Sequence, residues 1–226
     1  MKKEKNISIS ILDVEEENLE KFLIDLRKIV DKNNFKNISI HFDVMDGIFV
    51  KNLGIDLNKI ALVKKYNFFT DVHLMVANPE KYIEEAFKAG ANIITVHSEI
   101  KNIDEVMYKL YSLKVLESSK DFYIGLAISP DTDVNKVFKY NNLIDVCLVM
   151  TVYPGYGSQQ FLDSSINKIK NFKNEFKILE VDGGINKDTI KVANDAGANT
   201  FVIGSYFTKN IEELEERLIT IQELLK

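Results

Sequence analysis

One cysteine stands in the 226 residues, Cys147, so no internal disulfide can form and a reducing compartment is expected. It sits in the apolar run "VCLVM", which suits a packed thiol better than a nucleophile. Cationic excess is missing as well. Lys and Arg number 29 against 34 Asp and Glu, and the lysines are scattered among glutamates, which argues against nucleic acid as a partner. No apolar run approaches the length of a membrane span, and the opening "MKKEKNISIS" lacks the apolar stretch of a secretion signal. The expectation is a cytoplasmic protein without membrane contact. Prolines and glycines are nowhere gathered into a linker, which predicts one domain over residues 1–226. A Gly-x-Gly-x-x-Gly after the first strand is also absent, which disfavours an open doubly wound sheet.

What is present is alternation. Short β-rich runs recur at "ISISIL", "NISIHFDV", "FFTDVHLMV", "NIITVHS", "FYIGLAI", "DVCLVMTV", "KILEVDGG" and "NTFVIGSYF", each separated by a stretch with helical spacing. Leu19, Phe22, Leu23, Leu26, Ile29 and Val30 form the apolar stripe of a first helix. "NPEKYIEEAFKAGAN" offers Asn78 as N-cap, Pro79 in the first turn and Gly90 as C-cap, and "NKDTIKVANDAGAN" repeats the pattern to Gly197. "NIEELEERLITIQELLK" supplies the eighth helix. Eight strand-helix units predict an α/β fold, a single-domain (β/α)8 TIM barrel.

Barrels of this kind carry their chemistry at the C-terminal ends of the strands. Those ends read Ser10, His41 with Asp43, His73 with Met75, His97, Ser129, Met150, Asp182, and Gly204 with Ser205, so all three histidines fall on one rim. In "HFDVMDG", strand alternation turns His41 and Asp43 to the same face. With His73 and Asp182 they offer two imidazoles and two carboxylates, a donor set for one divalent metal ion, Zn, Fe(II), Mn or Co. Asp46 and Asp71 read as partners that orient the imidazoles or as turn residues, the latter favoured for Asp46 before Gly47. His97 is either bonded to Glu99 or in contact with a substrate. The loops at Gly183-Gly184 and Gly204-Ser205 follow the last two strands, where such barrels hold phosphate on backbone N–H groups. "YPGYGSQQF" has the glycines and proline of a mobile lid.

The blocks "SIL", "HFDVMDGIFVKNL", "DVHLMVANPEKYI", "AGANIITVHSE", "VMTVYPGYGSQQF", "EVDGGI" and "IGSYF" resemble, in order and spacing, the ribulose-phosphate 3-epimerase family over nearly the whole chain. The resemblance implies a metal held by His41, Asp43, His73 and Asp182, with Asp43 and Asp182 as the two acid/base groups. It implies Ser10 and His73 at the substrate, and Met45, Met75 and Met150 beside the reacting carbon. Phosphate would lie against Gly155, Tyr156, Gly157 and Ser158 and against Gly204 and Ser205. The implied enzyme is a homo-oligomeric isomerase acting on a small phosphorylated ketose, interconverting ribulose 5-phosphate and xylulose 5-phosphate through an enediolate. The chain departs from the family at Ile9 and Lys51, usually Pro, at Ser129, usually Asn, and at Ser158, usually Gly. Allulose-6-phosphate 3-epimerases share the metal and acid/base set and stand as the alternative reading. A non-catalytic sugar-phosphate-binding barrel is a further one, but would be expected to lose Asp43 or Asp182. A Schiff-base aldolase would need a lysine at a strand end, which none of the eight has. A metal-dependent hydrolase could use the same ligands without needing a second carboxylate opposite the first.

Overall fold

The structure is a computed structural model describing residues 4–116 and 121–226; the remainder of the expected 1–226 domain lies outside the described residues. Strands β1 Asn6–Ser10, β2 Ile38–Met45, β3 Phe69–Met75, β4 Ile93–His97, β5 Tyr123–Ile128, β6 Val146–Met150, β7 Ile178–Asp182 and β8 Thr200–Ile203 pair in parallel, each with the next, and β8 closes on β1. Helices α1 Leu19–Lys32, α2 Ile60–Lys65, α3 Glu80–Ala89, α4 Ile103–Leu116, α5 Asn135–Phe138, α6 Ser165–Phe172, α7 Ile190–Ala196, α8 Ser205–Thr208 and α9 Leu214–Leu224 lie between and after the strands. The chain is a (β/α)8 barrel. No helix among the described residues is long and apolar enough to cross a membrane.

Two local expectations need correction. α3 begins one residue late, with Pro79 at the N-cap and no side chain capping it, because the Pro79 carbonyl already accepts from Ile83 N at 2.8 Å. The run "NTFVIGSYF" is not strand throughout: β8 stops at Ile203 and Ser205–Thr208 turn into α8, with Phe207 N and Thr208 N both donating to Gly204 O.

Strands β2, β3 and β7 have two unlike faces. Ile40, Phe42 and Val44 of β2, Val72 and Leu74 of β3, Ile124, Leu126 and Ile128 of β5, and Leu179 and Val181 of β7 all belong to one apolar layer with the stripe Leu19, Phe22, Leu23, Leu26 and Val30 of α1. Burying each such side chain contributes about 1.5–3 kcal/mol, which makes this layer the main source of stability. The alternate residues, Ser39, His41 and Asp43 on β2, Asp71 and His73 on β3, and Glu180 on β7, are buried too, but point into the barrel. Cys147 is on the apolar face, where burial pushes its thiol pKa far up, so it is packed and inert. Gly54 sets the mouth. A Cβ there would lie 2.1 Å from Asp43 O, and its closeness lets Ile55 N bond Asp43 O at 2.8 Å and Gly54 N bond Met45 O at 3.3 Å.

Candidate active site

Register assembles the site. His41 lies beside Asp71, Asp43 beside His73 and Met45 beside Met75 across β2 and β3, and Met150 lies beside Asp182 across β6 and β7. The ligand-capable atoms of His41, Asp43, His73 and Asp182 all come within 4.8 Å of one another. Asp43 Oδ1 is 3.4 Å from His41 Nε2 and 3.3 Å from His73 Nδ1, and Asp182 Oδ2 is 3.8 Å from His73 Nδ1. His41 Nε2 is buried yet has no hydrogen-bond partner. An unpartnered imidazole nitrogen aimed at two carboxylates is costly unless a cation takes its lone pair, so these residues fit a divalent metal ion. Asp71 turns that nitrogen inward, its Oδ2 accepting from His41 Nδ1 at 2.7 Å and from Ser8 Oγ at 2.8 Å.

The two aspartates differ electrically. Burial pushes the Asp43 pKa up, but the neighbouring His41 and His73 imidazoles outweigh it and hold the carboxyl below the usual range. Ser10 Oγ also donates to Asp43 Oδ2 at 2.7 Å. At Asp182, burial together with the charge of Asp43 outweighs the nearby charge of His41 and pushes the pKa up to about 7. Without a bound cation, one carboxyl is therefore ionised at neutral pH while the other is poised to hold a proton. Burial lowers the His41 pKa, but Asp71 and Asp43 raise it well above the ordinary value. Two residues before Asp182, on the same face of β7, lies fully buried Glu180, whose pKa burial and the charge of Asp71 raise well above the ordinary value. Its period-two spacing from Asp182 was the available signal for it.

Above these groups opens a cavity of about 420 Å³. Asp43 and Asp182 reach its floor with Ser10, Met45, Met75 and Met150, and its mouth is formed by Gly155, Tyr156, Gly157, Ser158, Gly183, Gly184, Gly204 and Ser205. His41 and His73 lie beneath the floor with no exposure, so His73 does not line the cavity as expected of a substrate contact. The loop over the mouth is held by Asn52 Nδ2 on Gly155 O at 2.9 Å and by Gln159 Nε2 on Tyr153 O and Tyr156 O at 2.7 and 2.8 Å. Asp46 is a turn residue, accepting from Ile48 N, Phe49 N and Ala77 N. His97 Nδ1 lies 2.9 Å from Glu99 Oε2, away from the cavity wall. Sequence reading missed Asp13, Asn186, Lys209 and Arg217, which also line the cavity from loops and α9 without any periodic signal.

The family model for the ribulose-phosphate 3 epimerase family matches residues 6–208. The cytoplasmic isoform of ribulose-phosphate 3-epimerase from Oryza sativa subsp. japonica is 39% identical over 172 residues, covering 74% of this chain and 73% of that protein. Ribulose-phosphate 3-epimerase from Chlamydia trachomatis is 34% identical over 194 residues, covering 81% and 80%. Among solved structures, KGPDC from Streptococcus mutans superposes with a TM-score of 0.72 over 99% of this chain and 98% of that one, at 12% identity, a likeness of fold alone. With the family model spanning most of the barrel and these relatives above, the chain belongs to the ribulose-phosphate 3-epimerase family.

Proposed function

We propose that this protein is a metal-dependent ribulose-phosphate 3-epimerase, interconverting D-ribulose 5-phosphate and D-xylulose 5-phosphate. The observation that carries the reading is the pair of carboxyls, Asp43 and Asp182, lining one cavity floor and clustered with His41 and His73. Inverting a carbon next to a ketone means removing its proton and returning one to the opposite face. Asp43 takes the C3 proton of one epimer, and protonated Asp182 delivers its own from the other side; for the other epimer the roles exchange. A divalent ion held by His41, Asp43, His73 and Asp182, drawn from Zn, Fe(II), Mn and Co, would supply Lewis acidity for the charge of the enediolate. Ser10 Oγ orients Asp43 through its hydrogen bond to Oδ2. Met45, Met75 and Met150 bring apolar, polarisable surface without a competing proton donor.

Backbone at Gly155 to Ser158, Gly183, Gly184, Gly204 and Ser205 holds the phosphate, where glycines let amides come close. The loop at 153–158 excludes water once the ligand is seated. A homo-oligomer in the cytoplasm belongs to the same proposal, supported by the single buried cysteine and by exposed Ile48 and Leu53 near the mouth. The test is a coupled assay comparing ribulose 5-phosphate with allulose 6-phosphate on chelated and metal-restored protein. Faster turnover of the pentose, abolished by chelation and restored by one of the four metals, supports the reading. Preference for the hexose, or full turnover by metal-free protein, overturns it.

A further inference from the structure

His41 and His73 present different nitrogens to the cluster, Nε2 and Nδ1, and the group behind each ring differs. His41 rests directly on the Asp71 carboxylate. His73 instead turns its Nε2 to His97 Nε2 at 2.9 Å, and His97 Nδ1 meets Glu99 Oε2 at 2.9 Å. A contact between two imidazole nitrogens holds a single proton, so with both rings neutral each carries one proton. An ionised carboxylate can only accept, so the His97 proton sits on Nδ1. His97 Nε2 is then an acceptor, the proton in the contact between the rings belongs to His73 Nε2, and His73 Nδ1 is left bare. Glu99 is itself locked: its Oε1 accepts from Ser129 N at 2.9 Å, and Ser129 O is pinned by the buried Lys168 Nζ at 2.7 Å. Thr132 also bonds Glu99, but a hydroxyl can donate or accept and imposes no direction. Phe49 packs on His97 with ring centroids 4.8 Å apart, holding that ring in place.

We infer that Glu99 and His97 are positioning residues that select the tautomer of His73, and so make its Nδ1 available to a cation from two hydrogen bonds away. This rests on the reading of His73 as a metal ligand. Its sharpest consequence is Glu99→Gln. The amide must keep its oxygen toward Ser129 N–H, which turns its NH₂ to His97 Nδ1. His97 then carries its proton on Nε2, His73 must accept there, and the His73 proton moves to Nδ1, where it blocks the ligand position. His97→Gln has the opposite expectation, because its NH₂ faces the Glu99 carboxylate and its oxygen still accepts from His73 Nε2–H.

With only three histidines in the chain, ¹⁵N-histidine labelling of the metal-free protein and long-range ¹⁵N–¹H correlation read each tautomer directly. Zn(II) competition against a chromophoric chelator reads affinity on the same samples. The wild type should show His73 protonated on Nε2, and Glu99→Gln on Nδ1 with Zn(II) affinity lower by about 10- to 100-fold, the scale for lost outer-shell partners. His97→Gln should keep both the wild-type tautomer and its affinity. Unchanged His73 signals and affinity in Glu99→Gln overturn the relay while leaving the metal reading intact. A wild type that binds no Zn(II), Co(II), Mn(II) or Fe(II) overturns both.

Discussion

The two faces of the same strands contrast more than any two separate regions of this molecule. Toward the helices, β2 offers Ile40, Phe42 and Val44; toward the barrel axis it offers Ser39, His41 and Asp43, and both sets are buried. The outer set stabilises by leaving water, and any apolar residue of similar volume would serve. The inner set is costly to bury and is tolerated because its members answer one another: Asp71 for His41, His41 and His73 for Asp43, Glu99 for His97. One face is therefore expected to govern stability and the other chemistry. Substitutions can separate the two.

The largest effect should come from the inner face. Asp43→Asn and Asp182→Asn keep size and a ligand oxygen but remove the proton carrier, and each should lower kcat by about 10² to 10⁴-fold. Steady-state kinetics with C3 deuterium exchange checks this; normal epimerisation by either metal-loaded variant would make a two-base mechanism untenable. On the outer face, Phe42→Ala should cost about 3–5 kcal/mol in urea unfolding and leave kcat per folded molecule unchanged. A fall in kcat at preserved stability would dissolve the contrast.

A finer separation lies within the inner face, because the two aspartates should affect the stability of metal-free protein with opposite signs. Asp43 has a lowered pKa, so its ionised form adds stability above the ordinary value of 3.8, lost as pH falls. Removing it should destabilise the protein at neutral pH. Asp182 has a raised pKa, so the folded state loses stability as pH rises from 3.8 through about 7. Asp182→Asn should then be more stable than the wild type at pH 8 and show a flatter pH dependence. Urea midpoints at pH 5 and pH 8 decide; shifts of the same sign in both variants would contradict the assigned charges.

The smallest effect belongs to the lid. Ser158 sits at φ 57°, a left-handed conformation that costs an L residue roughly 1–2 kcal/mol and glycine far less. Because glycine also gains entropy in the unfolded chain, Ser158→Gly should stabilise by no more than about 1 kcal/mol. Limited proteolysis at 153–160 should slow when ribulose 5-phosphate is added, in this variant as in the wild type. Equal nicking with and without the sugar phosphate would count against closure.

The order of elements was legible because it is local: period-two runs and helical stripes are written in neighbouring residues, and eight such units leave few ways to bury their apolar faces. His41 and Asp43 were assignable to one face by alternation alone, and the four-residue donor set followed from placing strand ends on a single rim. What only the tertiary structure decided depends on distances between strands. Nothing in the order of residues told that His73 lies beneath the cavity floor or that Asp182 and Asp43 are driven apart in pKa. Those outcomes arise from burial and from charges many residues apart in the chain, brought within a few ångströms by closure of the barrel, and neither quantity is a property of any local stretch of sequence.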